Sequence, residues 1–89
     1  MRIKEGFVLR TVMGKTVAVA VGPASKSFRG MISLNSTALQ IWNGIERGLS
    51  EQEICDEICE KYEVSREKAA DDVKKILNTL MAHGVIEND

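Results

Sequence analysis

The sequence predicts an α+β domain, a three-stranded antiparallel sheet followed by a three-helix bundle. Two observations carry this. Up to Leu34 the chain runs in short β-branched, apolar stretches with partial alternation, most plainly in valine at every second position, Val17, Val19 and Val21. Beyond Leu34 the period becomes helical, and three residues suited to cap helices, Asn35, Ser50 and Ser65, divide that stretch into three. At 89 residues the chain has room for one hydrophobic core, so residues 1–89 are read as a single domain.

Phe7 to Val12 is β-branched and apolar, and Met13-Gly14-Lys15 supplies a turn. Thr16 to Val21 completes a hairpin, which Gly22-Pro23 ends because proline cannot donate to a ladder. After a polar connection, Arg29 to Leu34 reads as a short third strand. Asn35 caps the first helix, with Leu34 and Leu39 placed as a hydrophobic staple. Ala38, Leu39, Ile41, Trp42 and Ile45 line its buried face, and Gly48 suits its end. Ser50 to Glu53 is a capping box for a second helix, whose inner face holds Ile54, Cys55, Ile58, Cys59 and Tyr62. Ser65 caps the third. There Ala69, Val73, Ile76 and Leu80 form one row, and Ala70, Leu77 and Met81 the row beside it. Together they cover an arc of about 140°, wider than a minimal amphipathic stripe. Gly84 closes that helix, and Val85-Ile86 is expected to fold back onto the core. The order also resembles a winged helix-turn-helix with the sheet placed first.

Composition excludes several classes. Apolar residues at 44% and charged residues at 28% describe a folded globular chain. No apolar run approaches the roughly 20 residues that span a bilayer. No apolar stretch with a cleavage site follows the opening residues, so a cytoplasmic location without membrane association is expected. Two cysteines are too few for a disulfide scaffold, and a single histidine, His83, leaves little for a triad or a metal site. Glycine-rich phosphate loops are absent. Neither an enzyme nor a cofactor is expected. The net charge of −1 hides an asymmetry: residues 1–34 hold six bases and one acid, residues 35–89 six bases and twelve acids. Two differently charged surfaces should result.

Each residue that could carry chemistry has a plainer reading. Cys55 and Cys59 share a helix face but lack two further ligands, so they read as small buried hydrophobes. His83, at a helix end, suits the negative end of the dipole. Trp42 has core spacing. Asp71 and Asp72 diverge by 100° and do not converge on one ion. Gly30, in a strand, could mark a bulge or a place where another backbone comes close.

Taken in order, Lys4 to Arg10, Phe28 to Asn35, Trp42, Gly48, Ile54, Tyr62, Asp72-Val73 and Leu80 with Gly84-Val85-Ile86 resemble the PqqD family (coenzyme PQQ synthesis protein D) over essentially the whole chain. The Gly30 to Asn35 segment, with tryptophan seven residues beyond the asparagine, is the most specific part. Proteins of this family are recognition elements for ribosomally synthesised and post-translationally modified peptides. The resemblance implies a non-catalytic peptide chaperone. It would bind the leader segment of a precursor peptide and present it to a modifying enzyme, often a radical S-adenosylmethionine (SAM) protein, in PQQ or another such pathway. In the family the leader adds as a strand beside the third strand, in the groove between that strand and the third helix. Carried over, the strand side is Arg29, Gly30, Met31, Ile32, Ser33 and Leu34.

An edge strand has unpaired N–H and C=O groups that a disordered guest can satisfy. Two margins of the third helix could wall the groove: Ala70, Lys74, Leu77 and Met81, or Asp72, Ile76 and His83. The first is favoured, because Met81 is adaptable and Lys74 reaches an acidic ligand. Lys26 and Arg29 should favour an acidic peptide segment. Ile32→Pro is expected to block strand addition by removing a ladder donor. The alternative is a winged-helix nucleic-acid-binding regulator. Its recognition helix would carry Arg66, Lys68, Lys74 and Lys75 against Glu67, Asp71 and Asp72, a poor footprint for phosphate, so no nucleic acid is expected. Monomer and homodimer both remain open.

Overall fold

The structure is a computed structural model that describes residues 1–26 and 30–87. Phe28 and Arg29 lie outside the described residues. The elements run β1 (Arg2–Ile3), β2 (Phe7–Val12), β3 (Lys15–Ala20), a 3-10 turn (Gly22–Lys26), β4 (Met31–Leu34), α1 (Ser36–Glu46), α2 (Glu51–Tyr62), α3 (Arg66–Ala82) and β5 (Ile86–Glu87). The antiparallel sheet has the order β2-β3-β4, so β3 is central and β4 lies at an edge. This is the predicted α+β architecture. The sequence reading lacks the second, two-stranded ribbon, in which β1 pairs antiparallel with β5. Two residues are too few to show a period. The ribbon is held by its ladder, by Lys4 N–H donating to the Val85 carbonyl at 2.7 Å, and by the Arg2–Glu87 ion pair at 2.8 Å.

The helices begin where their caps predict. Asn35 Oδ1 accepts from the Ala38 N–H at 2.8 Å. Ser50 and Glu53 form the reciprocal capping box, and Ser65 Oγ accepts from the Lys68 N–H at 3.1 Å. Asn35 matters most for the site, because it fixes the angle at which the chain leaves β4 for α1.

The helices cover one face of the sheet. Ala18 and Leu34 join Ile41, Trp42, Ile45, Ile54, Ile58, Val73, Leu77 and Leu80 in one core, with Phe7, Leu9 and Ile32 packed against it. Trp42 is fully buried, as its spacing predicts. Cys55 is buried in this layer, and burial pushes its thiol up from the usual range. The alternation of β3 is turned so that Ala18 points in and Val17 and Val19 point out. Small inward residues let the sheet approach a helical layer that contains an indole ring.

α1 and α2 approach closely at Gly44. A β-carbon there would stand 2.8 Å from Ile54 Cγ1, inside van der Waals contact. Gly44→Ala gains about 1 kcal/mol of helix propensity. The forced displacement of a fully buried isoleucine costs about 1–3 kcal/mol. The expected net effect is a loss of about 1 kcal/mol, a melting temperature lower by about 4–8 °C, read by thermal circular dichroism. Arg47 ties the same two helices with a bidentate pair to Glu57 at 2.6 and 3.0 Å. That pair holds the Glu57 carboxyl below its ordinary value.

Candidate functional site: the groove between β4 and α3

The hydrogen-bond phase of the sheet follows from its hairpin. Met13 and Gly14 both have positive φ (51° and 80°), giving the primed two-residue turn that closes on the pair Val12–Lys15. The Val21 N–H donates to the Gly6 carbonyl at 2.6 Å, three pairs further along. The bonded pairs between β2 and β3 are therefore Val12–Lys15, Arg10–Val17 and Val8–Val19, every second one. The residues between them, Thr16 and Ala18, turn their backbone groups the other way, toward Leu34 and Ile32 of β4.

Within β4, then, the backbone groups of Ile32 and Leu34 are committed to β3. Those of Met31 and Ser33 point to the open side, where no described strand pairs with them. This corrects the expectation for Ile32→Pro. The donor it removes belongs to the sheet, and the donors on the open edge are Met31 and Ser33.

Beside this edge runs a groove of about 290 Å³. β4 contributes Ile32, Ser33 and Leu34, the start of α1 contributes Asn35 and Ala38, and α3 contributes Ile76, Thr79 and Leu80. Its lining is mostly apolar. At Asn35 and Ile76 it meets a second hollow of about 330 Å³, reached by Thr37, Lys68, Asp72 and Lys75. Lys68 Nζ pairs with Asp72 Oδ1 at 2.8 Å, which raises the Lys68 ammonium pKa. Lys75 Nζ pairs with Asp71 at 3.0 Å. The site thus has an apolar length along β4 and a charged end toward the start of α3.

The structure brings together only part of the expected set. Met31, Ile32, Ser33 and Leu34 form the strand side, with Gly30 just before them, and Arg29 is outside the described residues. The helix side is the other margin from the one favoured. Leu77 is buried in the core, and Ala70, Lys74 and Met81 are exposed without lining the groove. These four lie 100–160° around α3 from Ile76, at about 100° per residue. A symmetrical apolar arc leaves open which flank meets the sheet, because that depends on how α3 crosses the other helices. Of the second margin, Ile76 lines both hollows and Asp72 only the charged one, whereas His83 stays at the helix end, its Nδ1 2.8 Å from the Thr79 carbonyl. Thr79 and Ala38 were missed, since neither departs from an ordinary helical residue in sequence.

Gly30 also reads differently in place. A β-carbon there would meet nothing within 4 Å, so close approach within the chain is not its reason. Its φ of +123° is, a conformation that L side chains rarely adopt.

The exposed bases of α3 are largely matched: Arg66 with Asp56, Lys68 with Asp72 and Lys75 with Asp71. Among the described residues no three His, Cys, Asp or Glu side chains gather to hold a metal ion, and no helix is long and apolar enough to cross a membrane.

A sequence model of coenzyme PQQ synthesis protein D (PqqD) matches residues 18–86, from the middle of β3 to β5. The chain belongs to the PqqD family. Two solved structures share the PqqD-like fold over nearly the whole of both chains. One is TbiB1 in complex with the TbiA(beta) leader peptide, with a TM-score of 0.80, 24% identity, and coverage of 100% of this chain and 98% of that one. The other is a lasso peptide synthetase B1 complexed with the leader peptide, with a TM-score of 0.79, 21% identity and coverage of 98% and 96%. No curated protein matches the sequence.

Proposed function

We propose that this chain is a non-catalytic recognition module. It binds the leader segment of a ribosomally made precursor peptide and presents it to a modifying enzyme, with a radical SAM protein as the expected class. The leader adds as a strand along β4, pairing with the outward N–H and C=O groups of Met31 and Ser33. The observation that carries this is the coincidence of those two backbone groups with an apolar groove on the same edge. Membership of the PqqD family and the likeness to two leader-peptide complexes support it.

Strand addition sets what the guest must look like. In an antiparallel pair, residues opposite one another share a face. Guest residues opposite Ile32 and Leu34 therefore turn inward onto Ile76 and Leu80, and two apolar side chains spaced two apart fit there. Residues opposite Met31 and Ser33 turn outward. Backbone bonds supply affinity for any extended chain, and the inward positions supply selectivity.

The test is a titration of a fluorescently labelled leader peptide, from a candidate precursor, with the purified chain. Saturable one-to-one binding is expected. Replacing both inward apolar residues of the peptide with serine should remove about 3 kcal/mol of apolar burial, weakening binding on the order of 100-fold. Equal affinity of the two peptides would contradict the reading.

A further inference from the structure

The sheet has a second surface that peptide capture along the groove leaves unused. A one-sided antiparallel sheet ordinarily turns apolar residues inward and polar residues to water. Here the outward face carries Val8, Val12, Val17, Val19 and Met31, none of which joins the core cluster packed between sheet and helices. Val17, at the centre, is only 3% exposed although it points away from the core, while Val12 and Met31 at the margins are 40% and 57% exposed. What the face leaves to solvent is Val12 and Met31, with Val8 and Val19 half-buried between them, an apolar grouping drawn from three strands. Its charges are of one sign. Arg10 and Lys15 are the only ionisable residues in β2, β3 and β4, and by register both lie on this face.

We infer that the outward face of the sheet docks a second protein, whose contact surface is apolar at the centre and acidic at the rim. Charge selects this occupant. A second copy of the chain would bring Arg10 and Lys15 against their own kind unless the faces were offset. An anionic membrane is ordinarily held by clusters of about four to eight cations, and this face offers two. An acidic-rimmed protein surface satisfies both cations and covers the valines.

The position of the face gives docking a purpose. The row Val8–Val19–Met31 and the row Arg10–Val17–Ser33 both end at the open edge of β4. A strand added there continues both rows with its own outward side chains. A protein seated on the valines would touch the guest as well, so the enzyme that acts on the peptide is the partner proposed. This part rests on strand addition at β4, whereas the docking itself does not.

The experiment uses the full chain and a purified candidate modifying enzyme of the radical SAM class, with and without the leader peptide. Val12→Glu and Arg10→Glu change exposed residues away from the groove, and unchanged thermal unfolding would confirm their fold. Each is expected to weaken association with the enzyme by tenfold or more. Leader affinity should stay within twofold, and the wild-type association should weaken as salt rises. Enzyme affinity unchanged in both variants would overturn the inference. So would self-association of the free chain, or binding to vesicles of anionic phospholipid, that Val12→Glu abolishes. If the leader fails to bind wild type while both variants still lose the enzyme, the groove reading falls and the docking face stands.

Discussion

Ser33→Pro is expected to weaken leader-peptide binding by about 30- to 100-fold while the domain stays folded. The Ser33 N–H points to the open side of β4, so removing it breaks no bond of the sheet. An edge strand accepts proline where the missing donor would face away from the ladder. In the complex the loss is larger than one average hydrogen bond. The guest carbonyl that Ser33 would have satisfied is left unpaired in a covered position, at a cost of about 1–3 kcal/mol, and the ring stands in the path of the incoming backbone. Ile32→Pro is the paired control and should behave in the opposite order. It removes a bond between β3 and β4 and forces a ring against the central strand. Its first effect is therefore a loss of stability by about 3 kcal/mol or more, with binding lost only because the sheet is damaged. Thermal unfolding and peptide titration of the two variants separate these outcomes. Ser33→Pro binding like wild type would show that the guest does not pair with this edge.

The second large effect is expected at Ile76. Its side chain is half-buried and lines both the apolar groove and the charged hollow beyond it, where a guest's inward residue would rest. Ile76→Glu removes part of that apolar contact and requires a carboxylate to be desolvated whenever the peptide is bound. The two costs together come to about 2–3 kcal/mol, or roughly 30- to 150-fold in affinity. Ile76 is also packed in part against the core, so stability should fall by about 1 kcal/mol, a loss that thermal unfolding separates from the loss of binding. Met81→Glu is the matching control, because Met81 is exposed on another side of α3 and touches no part of the groove. It should bind the leader as wild type does. Reversal of the two results would return the site to the margin first favoured from the sequence.

Local rules made most of the fold legible. Asn35, Ser50 and Ser65 each name a helix start, and each side chain accepts the predicted backbone bond. The hairpin is written in Met13-Gly14, whose two positive φ values set the turn and, through it, the phase of every bond in the sheet. What sequence left open depends on tertiary arrangement. Alternation separates Val17 and Val19 from Ala18 but says nothing of which set faces the helices, and here the smaller residues do. A similar ambiguity governs α3, where Leu77 and Ile76 are equally apolar neighbours, and the packing consumes one and leaves the other at the groove. The β1–β5 ribbon joins the two ends of the described chain across a gap in sequence that no local pattern bridges.

Amide hydrogen exchange along β4, measured by NMR with and without saturating leader peptide, tests strand addition most directly. In the free protein the Ile32 and Leu34 amides should exchange slowly, held by β3, and those of Met31 and Ser33 rapidly. Addition of the peptide should slow Met31 and Ser33 strongly and leave Ile32 and Leu34 little changed. Met31 and Ser33 amides that still exchange rapidly in the saturated complex would contradict the account.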